Sequence, residues 1–112
     1  MKINTNELQG PALDWAVAKC EGHTGKWVDD DTHGNHVERP FSPSTDWAQS
    51  GPIVEHERID IYTQYPCVGV SNWYARSKGK ILGVGKTPLE AAMRCYVASK
   101  LGDEVEIPKE LV

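Results

Sequence analysis

Thr87-Pro88-Leu89-Glu90-Ala91-Ala92-Met93-Arg94-Cys95-Tyr96-Val97-Ala98-Ser99-Lys100-Leu101-Gly102 is the stretch whose reading decides the fold. Thr87 suits a helix cap, Pro88 the first helical position and Glu90 the residue that reaches back to the cap: a capping box. Leu89, Ala92, Met93, Tyr96, Val97 and Leu101 recur at helical spacing and predict one apolar face, and Gly102 suits the residue that closes the last turn. Glu90 and Arg94, four apart, are expected to pair on the exposed side.

Upstream of this helix, Ser77-Lys78-Gly79-Lys80 reads as a turn feeding a strand at Ile81-Leu82. Residues 68–76 predict the preceding strand, with Val70, Asn72, Tyr74 and Arg76 on one face and Ser71, Trp73 and Ala75 on the other. Ile59-Asp60-Ile61-Tyr62-Thr63 alternates in the same way and ends at Gln64-Tyr65-Pro66. An antiparallel meander followed by a helix is the expected order. Nearer the start, Pro11 and Gly22 bracket a predicted helix over 11–21, with Leu13, Ala16, Val17 and Cys20 as its core stripe.

Between these blocks the text is polar. Residues 23–39 contain Asp29-Asp30-Asp31 and two glycines, and predict two short strands joined by a mobile loop at about 29–36. In Phe41-Ser42-Pro43-Ser44-Thr45-Asp46-Trp47-Ala48-Gln49-Ser50-Gly51-Pro52, hydroxyl residues precede a short turn of helix that Gly51-Pro52 is expected to stop. Residues 103–112 read as an extended or frayed tail. The whole is α+β: a small antiparallel sheet of about four or five short strands, covered on one face by two amphipathic helices. In architecture alone this resembles double-stranded-RNA binders and HicB-type antitoxins.

A chain of 112 residues with a net charge of −4 and 39% hydrophobic residues fits one soluble domain, 1–112. No apolar run approaches a membrane span or a secretory signal, and three cysteines without paired spacing suit a reducing cytoplasm. The acidic balance argues against nucleic acid, although Arg76, Lys78, Lys80 and Lys86 gather near the last hairpin beside Trp73 and Tyr74.

The motifs that carry chemistry are weak. Gly83-Val84-Gly85-Lys86-Thr87 looks like the end of a phosphate-binding loop, but Lys80 stands where the first glycine belongs. Cys20, His23, His33 and His36 have metal-ligand chemistry without a standard spacing, and read as calcium ligands Asp29 and Asp31 lead to Pro40 where a bidentate glutamate is needed. No metal and no cofactor is expected. Cys67 with His56 is the best nucleophile and base pair, Asp46, Glu55 and Glu57 the best carboxylates, and no local motif joins either set. An enzyme is not expected. Four tryptophans are the most informative feature. Indoles among polar neighbours suit stacking on a planar ligand, and the competing reading is that they complete a core with one phenylalanine.

Taken in order, Ala12-Leu13-Asp14-Trp15-Ala16-Val17-Ala18, Phe41-Ser42-Pro43-Ser44-Thr45-Asp46-Trp47, Gly51-Pro52-Ile53-Val54-Glu55, Trp73-Tyr74-Ala75 and Pro88-Leu89-Glu90-Ala91-Ala92-Met93-Arg94 resemble the NinX-like family of small phage and prophage proteins. The resemblance spans nearly the whole chain, apart from the insert at residues 29–36. It implies a phage-derived accessory protein in the bacterial cytoplasm and carries over no catalytic residue. The leading expectation is a non-enzymatic binding protein for a small, planar, anionic ligand such as a nucleotide derivative, modulating the host. Trp47 and Trp73 would stack, Ser44, Thr45 and Asp46 would hydrogen-bond, and Arg76 and Arg94 would pair with charge. The alternative is a protein-interaction module or, behind it, a nucleic-acid-binding one.

Overall fold

In a computed structural model the described residues are 2–22, 27–30, 37–63 and 72–111. The elements run β1 (Lys2–Asn4), a 3-10 turn (Thr5–Glu7), α1 (Gly10–Glu21), β2 (Trp27–Asp30), β3 (Val37–Pro40), α2 (Trp47–Glu57), β4 (Asp60–Thr63), β5 (Trp73–Ser77), β6 (Lys80–Gly85), α3 (Pro88–Leu101), β7 (Glu104–Glu106) and a closing 3-10 turn (Lys109–Leu111). The class is α+β. β4, β5 and β6 form an antiparallel meander in that order, while β1 pairs with β7 and β2 with β3, both antiparallel.

α3 is the centre of the molecule. It packs on β5 and β6, and α1 and α2 pack on it in turn. Its approach to β6 is so close that a Cβ on Gly83 would collide with the Ala91 carbonyl and sit 2.6 Å from the Cys95 amide nitrogen, and one on Gly85 would sit 2.8 Å from the Ala91 nitrogen. Glycine there lets helix and strand backbones touch. Thr87 caps the helix as expected, with the Glu90 N–H donating to Thr87 Oγ1 at 3.1 Å, but the returning Glu90 carboxylate accepts from the Lys86 N–H at 3.2 Å, one residue before the cap. The predicted alternation holds in β5, where Ala75 and Ser77 are buried and Arg76 is exposed. Lys78 and Gly79, both at positive φ, make the two-residue turn into β6.

α3 is buried almost all round. Leu89, Ala92, Met93, Tyr96 and Val97 are inside as expected, but so are Ala91, Arg94 and Cys95, whereas Leu101 is 42% exposed. Its apolar face is therefore not continued at Leu101, the last residue of the helix. α1 matches its expected span, with Leu13, Ala16 and Val17 sealed, Cys20 half-buried and Gly22 left-handed.

Two expectations need correction, and a third is made specific. Gly51-Pro52 does not stop the helix: α2 continues to Glu57 with Pro52 inside it. The proline removes one backbone bond to Ala48, and the missing Cβ of Gly51 relieves the clash that disfavours helix before proline. Of the two readings of the tail, extended or frayed, it is the extended one that appears, over β7. Glu104–Glu106 pairs with β1, Val105 and Ile107 are buried, and Thr5 ties the two ends together by donating Oγ1–H to Gly102 O at 2.6 Å and N–H to Asp103 O at 2.7 Å. Asp29 and Asp30 belong to β2, so the expected loop begins later, and 31–36, like 64–71 and the start of the strand expected from residue 68, lies outside the described residues. No helix among the described residues is long and apolar enough to cross a membrane.

Candidate functional site

The seven residues expected to form a site are divided among the segment that enters α2, β5 and α3. Ser44, Thr45, Asp46 and Trp47 stay together at the start of α2, but largely as its cap: Asp46 Oδ1 accepts from the Ala48 N–H at 2.9 Å, and Thr45 Oγ1–H donates to Ser42 O at 3.4 Å. Ser44 is buried and donates its N–H to Asp14 Oδ1 at 2.9 Å. Its hydroxyl is sealed from solvent with no well-aligned partner among the described residues, though it lies near enough to pull weakly on the Asp14 carboxylate. Burial dominates there and pushes the Asp14 carboxyl up. Trp47 projects from the first turn, 53% exposed.

The other three lie elsewhere. Trp73 is half-buried and packs against the core, whereas Arg76, three positions along the same strand, faces the other way. Arg76 donates from Nε and from a terminal nitrogen to Asp60 Oδ2, both at 3.3 Å, and lies over the Tyr62 ring, which stacks on Tyr74. Arg94 is only 9% exposed. Its guanidinium donates to Leu8 O at 2.7 Å and Val84 O at 2.6 Å and pairs with Glu90 at 3.2 Å, tying the N-terminal segment, the edge of β6 and the cap of α3 together. The expected exposed Glu90–Arg94 pair is therefore an interior clamp, since the Leu8 carbonyl needs a donor where water is excluded.

A different place has the shape of a site. The last turn of α1, the middle of α2 and the last turns of α3 enclose a cleft of about 500 Å³. α2 contributes Gln49, Pro52, Ile53 and His56, spaced i, i+3, i+4, i+7 on one face; α3 contributes Tyr96 and Lys100; α1 contributes Cys20 and Glu21. Glu57 completes the wall. Tyr96 O–H donates to Glu21 Oε2 at 3.0 Å, while Glu57 Oε1 receives both Lys100 Nζ and His56 Nδ1 at 3.4 Å. None of the seven expected residues lines it. The helical spacing on α2 was the available signal, hidden by treating Pro52 as a stop.

The electrostatics of the cleft are those of held protons. Burial first, and Glu21 second, push the Cys20 thiol up to about 11; Lys100 opposes and Glu57 adds. The Tyr96 hydroxyl is pushed up by burial and by its bond to Glu21. Cys95, at the other side of α3, is pushed up to about 11 by burial. Neither described thiol is the thiolate that nucleophilic chemistry requires. Cys67, His23, His33 and His36 lie outside the described residues, and among the described ones no group of three or more His, Cys, Asp or Glu side chains is placed to hold a metal ion. The glycines at 83 and 85 serve the approach of α3, whose first-turn Glu90 N–H donates to Thr87 Oγ1.

Fold and cleft together define a small α+β domain carrying a helix-lined cavity of the size that small ligands occupy. Residues 4–100 match the family model described as Bacteriophage P22, NinX. The chain belongs to that family of phage proteins. No curated protein matches it significantly.

Proposed function

We propose that the chain is a non-enzymatic phage accessory protein that works in the bacterial cytoplasm by holding a small ligand in the cleft between α1, α2 and α3. The cleft itself carries this reading. Its volume of about 500 Å³ falls in the range of small-molecule pockets, and its wall mixes an apolar floor, Ile53 and Pro52, with the polar ends of Gln49, Glu57, Tyr96 and Lys100. Such a lining binds and orients. It offers no activated nucleophile, because the thiol it contains keeps its proton.

The test is a melting-temperature screen against nucleotides, cyclic dinucleotides, amino acids and biogenic amines. At least one class is expected to raise the melting temperature at saturation, by the usual linkage of binding to stability, and to do so less in Ile53→Ala. No shift with any class at millimolar concentration contradicts the reading. A protein partner is the second reading, favoured by one observation: Trp47, at the start of the helix that walls the cleft, is exposed, and exposed tryptophans anchor protein interfaces. Salt-tolerant retention of a host protein, lost in Trp47→Ala, would support it.

A further inference from the structure

We infer that the cleft takes an organic cation, a small molecule bearing a primary ammonium or guanidinium group, held by the carboxylates of Glu21 and Glu57 with its carbon skeleton against Ile53. The inference rests on the cleft being a ligand site and specifies what it selects. Two carboxylates, Glu21 and Glu57, and one ammonium, Lys100, line the cavity beside the His56 imidazole, in a chain whose formal net charge is −4. Both carboxylates have capacity left over. The Lys100 and His56 contacts of Glu57 fall on Oε1 alone, and the Tyr96 contact of Glu21 falls on Oε2, so each carboxylate keeps one oxygen without a partner among the described residues.

The contacts already made are weak ones. At 3.4 Å the Lys100 pair is well beyond the roughly 2.7–2.9 Å of a charge-assisted hydrogen bond, and Lys100 is about half exposed, so it leaves Glu57 at little cost when a better-placed cation arrives. The charged side chains that line the cleft are two carboxylates, Glu21 and Glu57, and one ammonium, Lys100. A cation entering this space meets net attraction, and a phosphate meets net repulsion. Ile53 and Pro52 offer the rest of the molecule an apolar part of the wall.

Calorimetric titration at low salt with two probes, agmatine as the cation and adenosine monophosphate as the anion, tests this. Agmatine should bind and adenosine monophosphate should not. Glu57→Gln should weaken agmatine about tenfold, the scale of one lost charged hydrogen bond, whereas Lys100→Ala, which removes the competing cation, should tighten it. The opposite signs separate recognition in the cleft from general unfolding, which would weaken both variants. Agmatine binding that ignores both substitutions, or no agmatine binding at millimolar concentration, overturns the cation assignment. If adenosine monophosphate binds instead and is lost in Lys100→Ala, the cleft is a ligand site of the other sign; if the melting screen is also silent, the ligand reading falls with it.

Discussion

Gly83 shows how little room the packing leaves. A methyl group there would enter the space of the Ala91 carbonyl and the Cys95 amide, both backbone groups of α3 that have no rotamer by which to move aside. Gly83→Ala is therefore expected to lower stability by about 3 kcal/mol or more, read from the urea midpoint at unchanged slope. Asp14 gives a prediction in pH. Its carboxyl is raised in the folded state, chiefly by burial, so ionising it works against the fold at neutral pH. The folded chain binds that proton more tightly than the unfolded chain, so acidification through the raised value towards the unfolded value relieves the penalty. Asp14→Asn keeps an oxygen for the Ser44 N–H; it should melt higher than the parent at pH 7, with the difference shrinking as pH falls below the raised value. A difference that grows towards acid contradicts the burial account.

The elements divide into those whose causes are local and those whose causes are not. α1 and α3 were legible because their signals lie within a few residues: Pro11 and Gly22 at the ends of one, Thr87, Pro88 and Glu90 at the start of the other. The alternation of β5 and the Lys78-Gly79 turn were legible for the same reason. Arg94 was not, because its burial is decided by the Leu8 carbonyl, 86 residues away in sequence, and the i, i+4 spacing to Glu90 looks identical inside or outside a protein. The β1–β7 pair joins the two ends of the chain, beyond any window of periodicity. The cleft needs three helices at once, and Gly51-Pro52 signals a stop that α2 does not obey. Because that proline sits inside α2 and leaves the Ala48 carbonyl without its helical donor, Pro52→Ala should raise stability by about 1 kcal/mol, the restored bond outweighing the greater freedom of the unfolded chain. Calorimetric melting checks the sign.

At the scale of the whole molecule, the fold is closed by its ends. β7 carries Val105 into the core beside Ile107, and Thr5 holds Gly102 and Asp103 from the other terminus. Deleting residues 104–112 removes both apolar side chains and the partner of β1, so a loss of about 3–6 kcal/mol is expected from burial alone, enough to leave a domain of this size largely unfolded. Far-ultraviolet circular dichroism and a urea titration of the truncated chain would show it; a native-like transition would mean that the tail is ornamental. α1 and α2 each pack on α3, and the cavity on which the proposed function rests lies among the three. Mass spectrometry of small molecules released by heating protein purified from its natural host tests that function most directly. One compound recovered near equimolar with the chain, and depleted in a preparation of Ile53→Ala, is the predicted result; a parent chain that releases nothing above the level of the buffer contradicts it.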